Sequence, residues 1–294
     1  MNVIRTRALT KRYGKTLALD GLDLEVPGPA VFGYLGPNGA GKTTTIRLLA
    51  GLLRATSGHA EVLGLDIGRD RDRAQRRIGY LPGQFTAYPD LTGDQYLRYL
   101  AGLRGGVGGK AVAGLAERFD VDLSRRIGGL SHGNRQKIGL IQAFMHEPEL
   151  LILDEPTIGL DPLMQREFLA LVRETRDAGR TVFLSSHILD EVEAVADTVA
   201  ILRRGHLVVV RPVGELKAQA VRRMELVFAG EPPLAEAEKA DGVREATADG
   251  SRLHLVVEGS TAELLRVAAP YGIESVVTHE PDLEEIFMTY YEER

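Results

Sequence analysis

The stretch Gly36-Pro37-Asn38-Gly39-Ala40-Gly41-Lys42-Thr43-Thr44 fills every fixed position of a G-x-x-x-x-G-K-[ST] loop, and it constrains the fold more than any other feature of the chain. Glycines in such a loop let backbone N–H groups turn inward around phosphate oxygens, where larger side chains would obstruct the cradle. The loop needs a buried strand before it and a helix after it. Ala30-Val31-Phe32-Gly33-Tyr34-Leu35 supplies the apolar segment, and Thr44-Thr45-Ile46-Arg47-Leu48-Leu49 begins a helix whose positive end points at the anion. Lys42 is placed to reach the terminal phosphates of a nucleotide, and Thr43 offers a hydroxyl to Mg2+.

A length of 294 residues, 44% of them hydrophobic, allows one large domain or a domain with a smaller partner. The chain has no cysteine, which excludes disulfide frameworks, thiolate metal sites and cysteine nucleophiles and fits a reducing compartment. Cytoplasmic residence is the expectation. The start, Met1-Asn2-Val3-Ile4-Arg5-Thr6-Arg7, lacks the apolar core of a signal peptide, and no apolar run approaches the roughly 18 residues of a membrane span. A membrane role would therefore be borrowed from a partner. Residues 216–294 hold 8 Lys/Arg against 16 Asp/Glu within a net charge of -5, which marks the tail as a separate module. No strongly basic face is present, so nucleic acid is not an expected partner.

Residues up to about 84 read as short strands, among them Val3–Thr6, Leu22–Val26 and His59–Leu63, interrupted by the phosphate loop and its helix. From about 85 to 145 the spacing turns helical, with Gly105-Gly106-Val107-Gly108-Gly109 read as an interhelical loop. Residues 150–154, 181–185 and 198–202 are short apolar runs between helical segments, the pattern of a buried, largely parallel sheet. After Pro212 come strands at 224–228 and 253–257, a helix from Thr261, a strand at 273–277 and a closing helix at 283–291. The fold class expected is α/β, with a domain over 1–215 and a small α+β domain over 216–294.

Leu150-Leu151-Ile152-Leu153-Asp154-Glu155 ends a buried strand on two carboxylates, which are costly there unless a cation or water uses them. Asp154 is assigned to Mg2+ through its water shell, and Glu155 to orienting and polarising the attacking water. With these residues the chain resembles the ATP-binding subunit of an ABC transporter over nearly all of residues 2–215. The resemblance implies a P-loop NTPase of ABC type: a RecA-like lobe with N-terminal antiparallel strands, and an inserted helical lobe. It places Tyr13 of Thr10-Lys11-Arg12-Tyr13-Gly14 on adenine, Asp161 of Gly159-Leu160-Asp161-Pro162 in the D-loop, and His187 of Ser185-Ser186-His187 on the γ-phosphate. Asp161-Pro162 is equally a helix start with a cap and a first-turn proline.

Two motifs depart from the family. Its L-S-G-G-Q signature reads Leu130-Ser131-His132-Gly133-Asn134, which keeps Ser131 and Gly133 and puts turnover rate in question. The glutamine loop, Ile78-Gly79-Tyr80-Leu81-Pro82, is followed by Gly83 and then Gln84, so Gln84 either reaches the metal after a local shift or is a plain turn residue. The resemblance further implies a head-to-tail dimer of ATPase subunits, either homodimer or heterodimer. Lys42, Thr43, Asp154, Glu155 and His187 of one chain would face Ser131, Gly133 and Asp161 of the other across ATP. The tail through Glu280-Pro281-Asp282-Leu283 to Tyr291 resembles that of subunits pairing with ABC-2 type permeases, which favours an exporter held at the cytoplasmic face of the membrane. An importer ATPase and a soluble or regulatory ATPase are the alternatives. The tail's role as dimer contact, partner dock or brake stays open, as does the cargo.

Overall fold

In the computed structural model, which describes residues 2–106, 109–219, 221–279 and 283–292, the chain divides after Val210 into two compact units. Val107 and Gly108 of the expected interhelical loop, and 280–282 of the tail, lie outside the described residues. The first unit opens with β1 (Asn2–Tyr13), β2 (Thr16–Pro27), β3 (Val31–Leu35), α1 (Lys42–Leu49), β4 (Ser57–Val62), β5 (Leu65–Asp66), α2 (Arg71–Arg76) and β6 (Ile78–Leu81). It continues through α3 (Gly93–Leu103), α4 (Gly109–Arg118), α5 (His132–Phe144), β7 (Leu150–Asp154), α6 (Pro162–Asp177), β8 (Thr181–Ser185), α7 (Leu189–Val195), β9 (Thr198–Arg203) and β10 (His206–Pro212).

Four of these strands form an antiparallel sheet in the order β2-β1-β4-β5. β1 is longer than the Val3–Thr6 segment that sequence alone shows, because bulges break its alternation: Ala8 takes a φ of 44° and the register slips between Thr6 and Leu9. Gly58 of the neighbouring strand makes room, since a Cβ there would lie 2.0 Å from the Ala8 carbonyl oxygen. The second sheet runs β10-β9-β3-β8-β7-β6, with β3, β6, β7, β8 and β9 parallel. Strands β3, β7 and β8 are buried along their whole length, which is why their sequences are continuous apolar runs. β10 joins the edge through a turn in which Arg204 and Gly205 both have positive φ, as a two-residue hairpin turn requires.

One core fills the space between the sheets. It holds Ile4, Leu24 and Val26 of the antiparallel sheet, Ile46 and Leu49 of α1, and Phe32, Ile152 and Phe183 of the parallel sheet. Phe32 stacks on Phe183 with ring centroids 5.6 Å apart. On α3, Thr92 and Gln95 form a reciprocal capping box.

The second unit contains α8 (Val213–Gln219), so the seam expected at 215 falls inside a helix. There follow β11 (Val221–Phe228), α9 (Leu234–Ala237), β12 (Val243–Asp249), β13 (Arg252–Glu258), α10 (Ala262–Ala268), β14 (Ile273–His279) and α11 (Leu283–Glu292). The sheet order β12-β13-β11-β14, antiparallel throughout, is a split β-α-β-β-α-β arrangement. Met224, Leu226, Phe228, Leu253, Leu255 and Val257 cover one face of that sheet and pack with Leu264 and Ala268 of α10.

Candidate functional site

Three adjacent parallel strands bring the predicted residues to one edge of the sheet. β8 lies between β3 and β7, with Tyr34 and Asp154 both in register with Ser185. The phosphate loop leaves β3, Asp154 ends β7, and His187 follows β8, so strand order alone makes segments far apart in sequence into neighbours.

The loop has the backbone that its glycines were expected to allow. Gly39 and Gly41 sit at φ 82° and 111°, and a Cβ on Gly41 would come within 2.6 Å of the Ala18 carbonyl oxygen. At Gly36 a Cβ would meet the Leu202 carbonyl oxygen at 2.5 Å. The buried Ala40 donates its N–H to the Pro37 carbonyl, and its own carbonyl accepts from Gly205. α1 begins at Lys42, so the N–H groups of its first turn have no partner within the helix and face the anion side. Pro37, Asn38, Gly39, Gly41, Lys42, Thr43 and Thr44 line a cavity of about 320 Å3 together with Glu155.

Within it the acidic and basic groups are already paired. Lys42, 6% exposed, donates to the Gly36 carbonyl at 2.5 Å and lies 3.7 Å from Glu155 Oε1. The other oxygen of Glu155 accepts from His187 twice, from Nδ1 at 2.6 Å and from the backbone N–H at 3.2 Å. Asp154 is 2% exposed and takes the Ser185 hydroxyl at 2.7 Å. Tyr80 has its phenol pKa raised chiefly by burial and next by the Asp154 charge. Among the described residues no cluster of three His, Asp or Glu could hold a metal. One carboxylate and one hydroxyl, from Asp154 and Thr43, fit Mg2+ held mainly by substrate phosphates.

The remaining predicted residues lie as follows. Ser131 caps α5, its hydroxyl accepting the Asn134 N–H at 3.3 Å. Gly133 abuts Gly159, where a Cβ would meet the carbonyl oxygen at 2.4 Å. Asp161 caps α6 through the N–H groups of Leu163 and Met164, both at 3.0 Å. Tyr13 is half exposed at the end of β1, with the Lys11 ammonium 5.1 Å from its ring centre. Gln84 is exposed, and the residue beside Asp154 is Gly83, where a Cβ would sit 3.2 Å from a carboxylate oxygen.

Three contributors were not singled out from sequence. Ser185 orients Asp154 and also accepts the Glu155 N–H at 3.3 Å. Gln136 on α5 donates to the Pro156 carbonyl at 3.0 Å, and Glu191 on α7 accepts the Thr157 hydroxyl at 2.6 Å. A buried serine closing an apolar strand was the one visible signal.

Comparison with known proteins gives the family and the fold. The sequence profile of the family described as ABC transporter matches residues 19–158. The chain is 38% identical over 223 residues to the probable multidrug ABC transporter ATP-binding protein YbhF of Escherichia coli (strain K12), a match covering 74% of this chain and only 38% of YbhF. It is 35% identical to the uncharacterized ABC transporter ATP-binding protein YhaQ of Bacillus subtilis (strain 168), covering 95% of each. It is 40% identical to the daunorubicin/doxorubicin resistance ATP-binding protein DrrA of Streptomyces peucetius, covering 73% of this chain and 67% of DrrA. Among solved structures, an ATP-binding subunit of an ABC transporter superposes with a TM-score of 0.67 at 28% identity, covering 74% of this chain and 92% of that one. A dimeric ATP-binding cassette bound to ADP and Pi shares the fold at a TM-score of 0.66 and 20% identity, covering 71% and 98%.

Proposed function

Because the chain belongs to the ABC transporter family as an ATP-binding protein, we propose that it hydrolyses ATP in a head-to-tail dimer and so powers an ABC-2 type exporter. The observation that carries the reading is the meeting of Lys42, Asp154, Glu155 and His187 at one sheet edge beside the phosphate loop. Loop N–H groups and Lys42 bind the phosphates, and Tyr13 stacks on adenine. Thr43 and Asp154 hold Mg2+, which when bound neutralises charge on the phosphate oxygens. Gln84 adds a metal ligand only after the local shift that its exposed position demands.

Glu155 polarises the attacking water. Its two oxygens are occupied by Lys42 and His187, both of which a γ-phosphate would attract, so nucleotide binding frees the carboxylate for water. Ser131, Gly133 and Asp161 complete the site of the opposite subunit, with the N-terminal end of α5 supplying an anion-binding dipole. Loss of the γ-phosphate removes those bonds and opens the dimer.

Export is favoured over import by relatives named for multidrug transport and for daunorubicin/doxorubicin resistance. No helix among the described residues is long and apolar enough to cross a membrane, so attachment to the cytoplasmic face is assigned to the permease. The test is phosphate release and particle mass with Mg-ATP, for wild type and Glu155→Gln. Wild type should turn over. The variant should bind ATP, lose about 100-fold or more in turnover and accumulate as dimer. Equal turnover in both removes Glu155 from the chemistry, and no turnover in wild type defeats the ATPase reading.

A further inference from the structure

The carboxylate that polarises water sits on a strained backbone. Glu155 has a φ of 49°, in the left-handed region that a side chain ordinarily avoids, and such a residue persists only where its surroundings over-determine it. On its N-terminal side the grip is Ser185, whose carbonyl and hydroxyl both accept the Glu155 N–H, at 3.1 and 3.3 Å. On its C-terminal side two side chains from different helices take hold.

We propose that Gln136 and Glu191 are positioning residues that hold the turn from Glu155 to Thr157, and with it the Glu155 carboxylate, in working geometry; this rests on the ATPase reading above. Gln136 is 1% exposed, and its Nε2 donates to the Pro156 carbonyl at 3.0 Å and to that of Glu155 at 3.4 Å. Thr157 is 2% exposed and donates its hydroxyl to Glu191 Oε2 at 2.6 Å. Each gripping side chain keeps one buried oxygen, Gln136 Oε1 and Glu191 Oε1, with no partner among the described residues. A buried unpaired oxygen is costly, so an apolar side chain would be the better filler if packing were the only role. Burial also raises the Glu191 pKa, against the pull of the Thr157 hydroxyl and His187 and with the help of the Glu155 charge.

The origins of the two grips give the clamp its meaning. Gln136 rides on α5, the helix capped by Ser131, and Glu191 rides on α7, directly after His187. Gly33 lets α7 approach β3 closely, since a Cβ there would meet Val192 at 2.4 Å. Displacement of α5 therefore reaches the Glu155 carbonyl through one hydrogen bond, and displacement of α7 reaches the same turn at the Thr157 hydroxyl through another. A phosphate bound at Ser131 for the opposite subunit is thereby sensed at this chain's own Glu155.

The test is steady-state hydrolysis by Gln136→Ala, Thr157→Val, Thr157→Ser and Glu191→Gln, each made in the wild-type and in the Glu155→Gln background. Gln136→Ala and Thr157→Val should lower kcat about tenfold while the KM for Mg-ATP stays within about twofold. Thr157→Ser, which keeps the hydroxyl, should restore kcat, and Glu191→Gln should lie between. In the Glu155→Gln background the same changes should cost less than about twofold, because a residue acting through Glu155 has nothing left to position. Thr157→Val is nearly isosteric and carries the test if Gln136→Ala does not fold. A kcat within twofold of wild type, a KM that rises in step with the loss, or an undiminished loss in the Glu155→Gln background would overturn the clamp. If wild type itself does not turn over, the ATPase reading falls and the clamp with it; turnover retained by every variant overturns the clamp alone.

Discussion

Gly33→Ala is a one-carbon change whose consequence can be worked out atom by atom. A Cβ at Gly33 would stand 2.4 Å from Val192 Cγ1, 2.9 Å from Val199 Cγ1 and 3.5 Å from Ala196 Cβ. Both valines are fully buried, and a β-branched side chain in a helix has one strongly preferred rotamer, so Val192 has little room to rotate away. Overpacking of this kind costs about 1–3 kcal/mol. The softer route of relief is outward movement of α7, which would carry His187 from its 2.6 Å contact with Glu155. Urea unfolding should therefore give a lower midpoint with unchanged slope, and ATP turnover should fall with it. Val192→Ala removes the nearer obstructing methyl. The pair Gly33→Ala and Val192→Ala should accordingly be less destabilised than the sum of the singles by about 1 kcal/mol. A single Gly33→Ala within about 0.5 kcal/mol of wild type, or a strictly additive cycle, would refute the idea that Gly33 sets the seat of α7.

His146 and Arg118 offer independent checks on the helical region. Burial, reinforced by the Arg104 guanidinium, lowers the His146 pKa from 6.5 to about 4, so the unfolded chain binds more protons than the folded one between those values. Stability is thus complete above pH 6.5 and drains as pH falls toward 4; the urea midpoint of wild type should drop more over that window than that of His146→Gln, and parallel slopes would refute the assignment. Helix α4 buries none of its residues, and Arg118 at its end pairs with Glu167 and Glu174 of α6, the latter bidentately at 2.6 and 2.8 Å. Arg118→Ala should speed amide exchange in α4 by roughly fivefold, an ion-pair loss near 1 kcal/mol, and exchange unchanged by both the substitution and high salt would refute it.

The legible parts of the chain are those whose chemistry is local. The phosphate loop declares itself because its strand, its glycines and its helix are contiguous, and Asp154 and Glu155 because two acids close an apolar run. β12 escaped notice because Val243-Arg244-Glu245-Ala246-Thr247-Ala248-Asp249 is an edge strand with no fully buried face and no alternation to detect. α9, only four residues long and starting directly after Pro232-Pro233, is too short for helical spacing to appear. Gln136 and Glu191 were hidden for another reason. Their partners lie 20 and 34 residues away, and only the fold brings side chains of α5 and α7 to the turn after β7. The glutamine loop shows the same limit from the other side: alignment alone offers Gln84, whereas the backbone puts the bare α-carbon of Gly83 against Asp154.

The departure at His132 also reads differently once its neighbour is known. As a sequence feature it replaces a glycine with a bulky, titratable ring at the start of the helix proposed to meet the opposite subunit's ATP. In the fold that ring lies against Gly159 of its own chain, where a Cβ would come within 2.5 Å of the imidazole Cδ2. Gly159 also adopts a φ of 78°, which a side chain resists. The bulk added at 132 is thus received by a position that has none. Gly133 remains pressed on the Gly159 carbonyl, and the Ser131 cap on the Asn134 N–H is intact. The start of α5 keeps its Ser131 cap, and the His132 ring packs against the turn leading to Asp161. The expected outcome is turnover through this altered signature, which phosphate release by wild type checks, and Gln136, one turn further along the same helix, connects that helix to the Glu155 carbonyl.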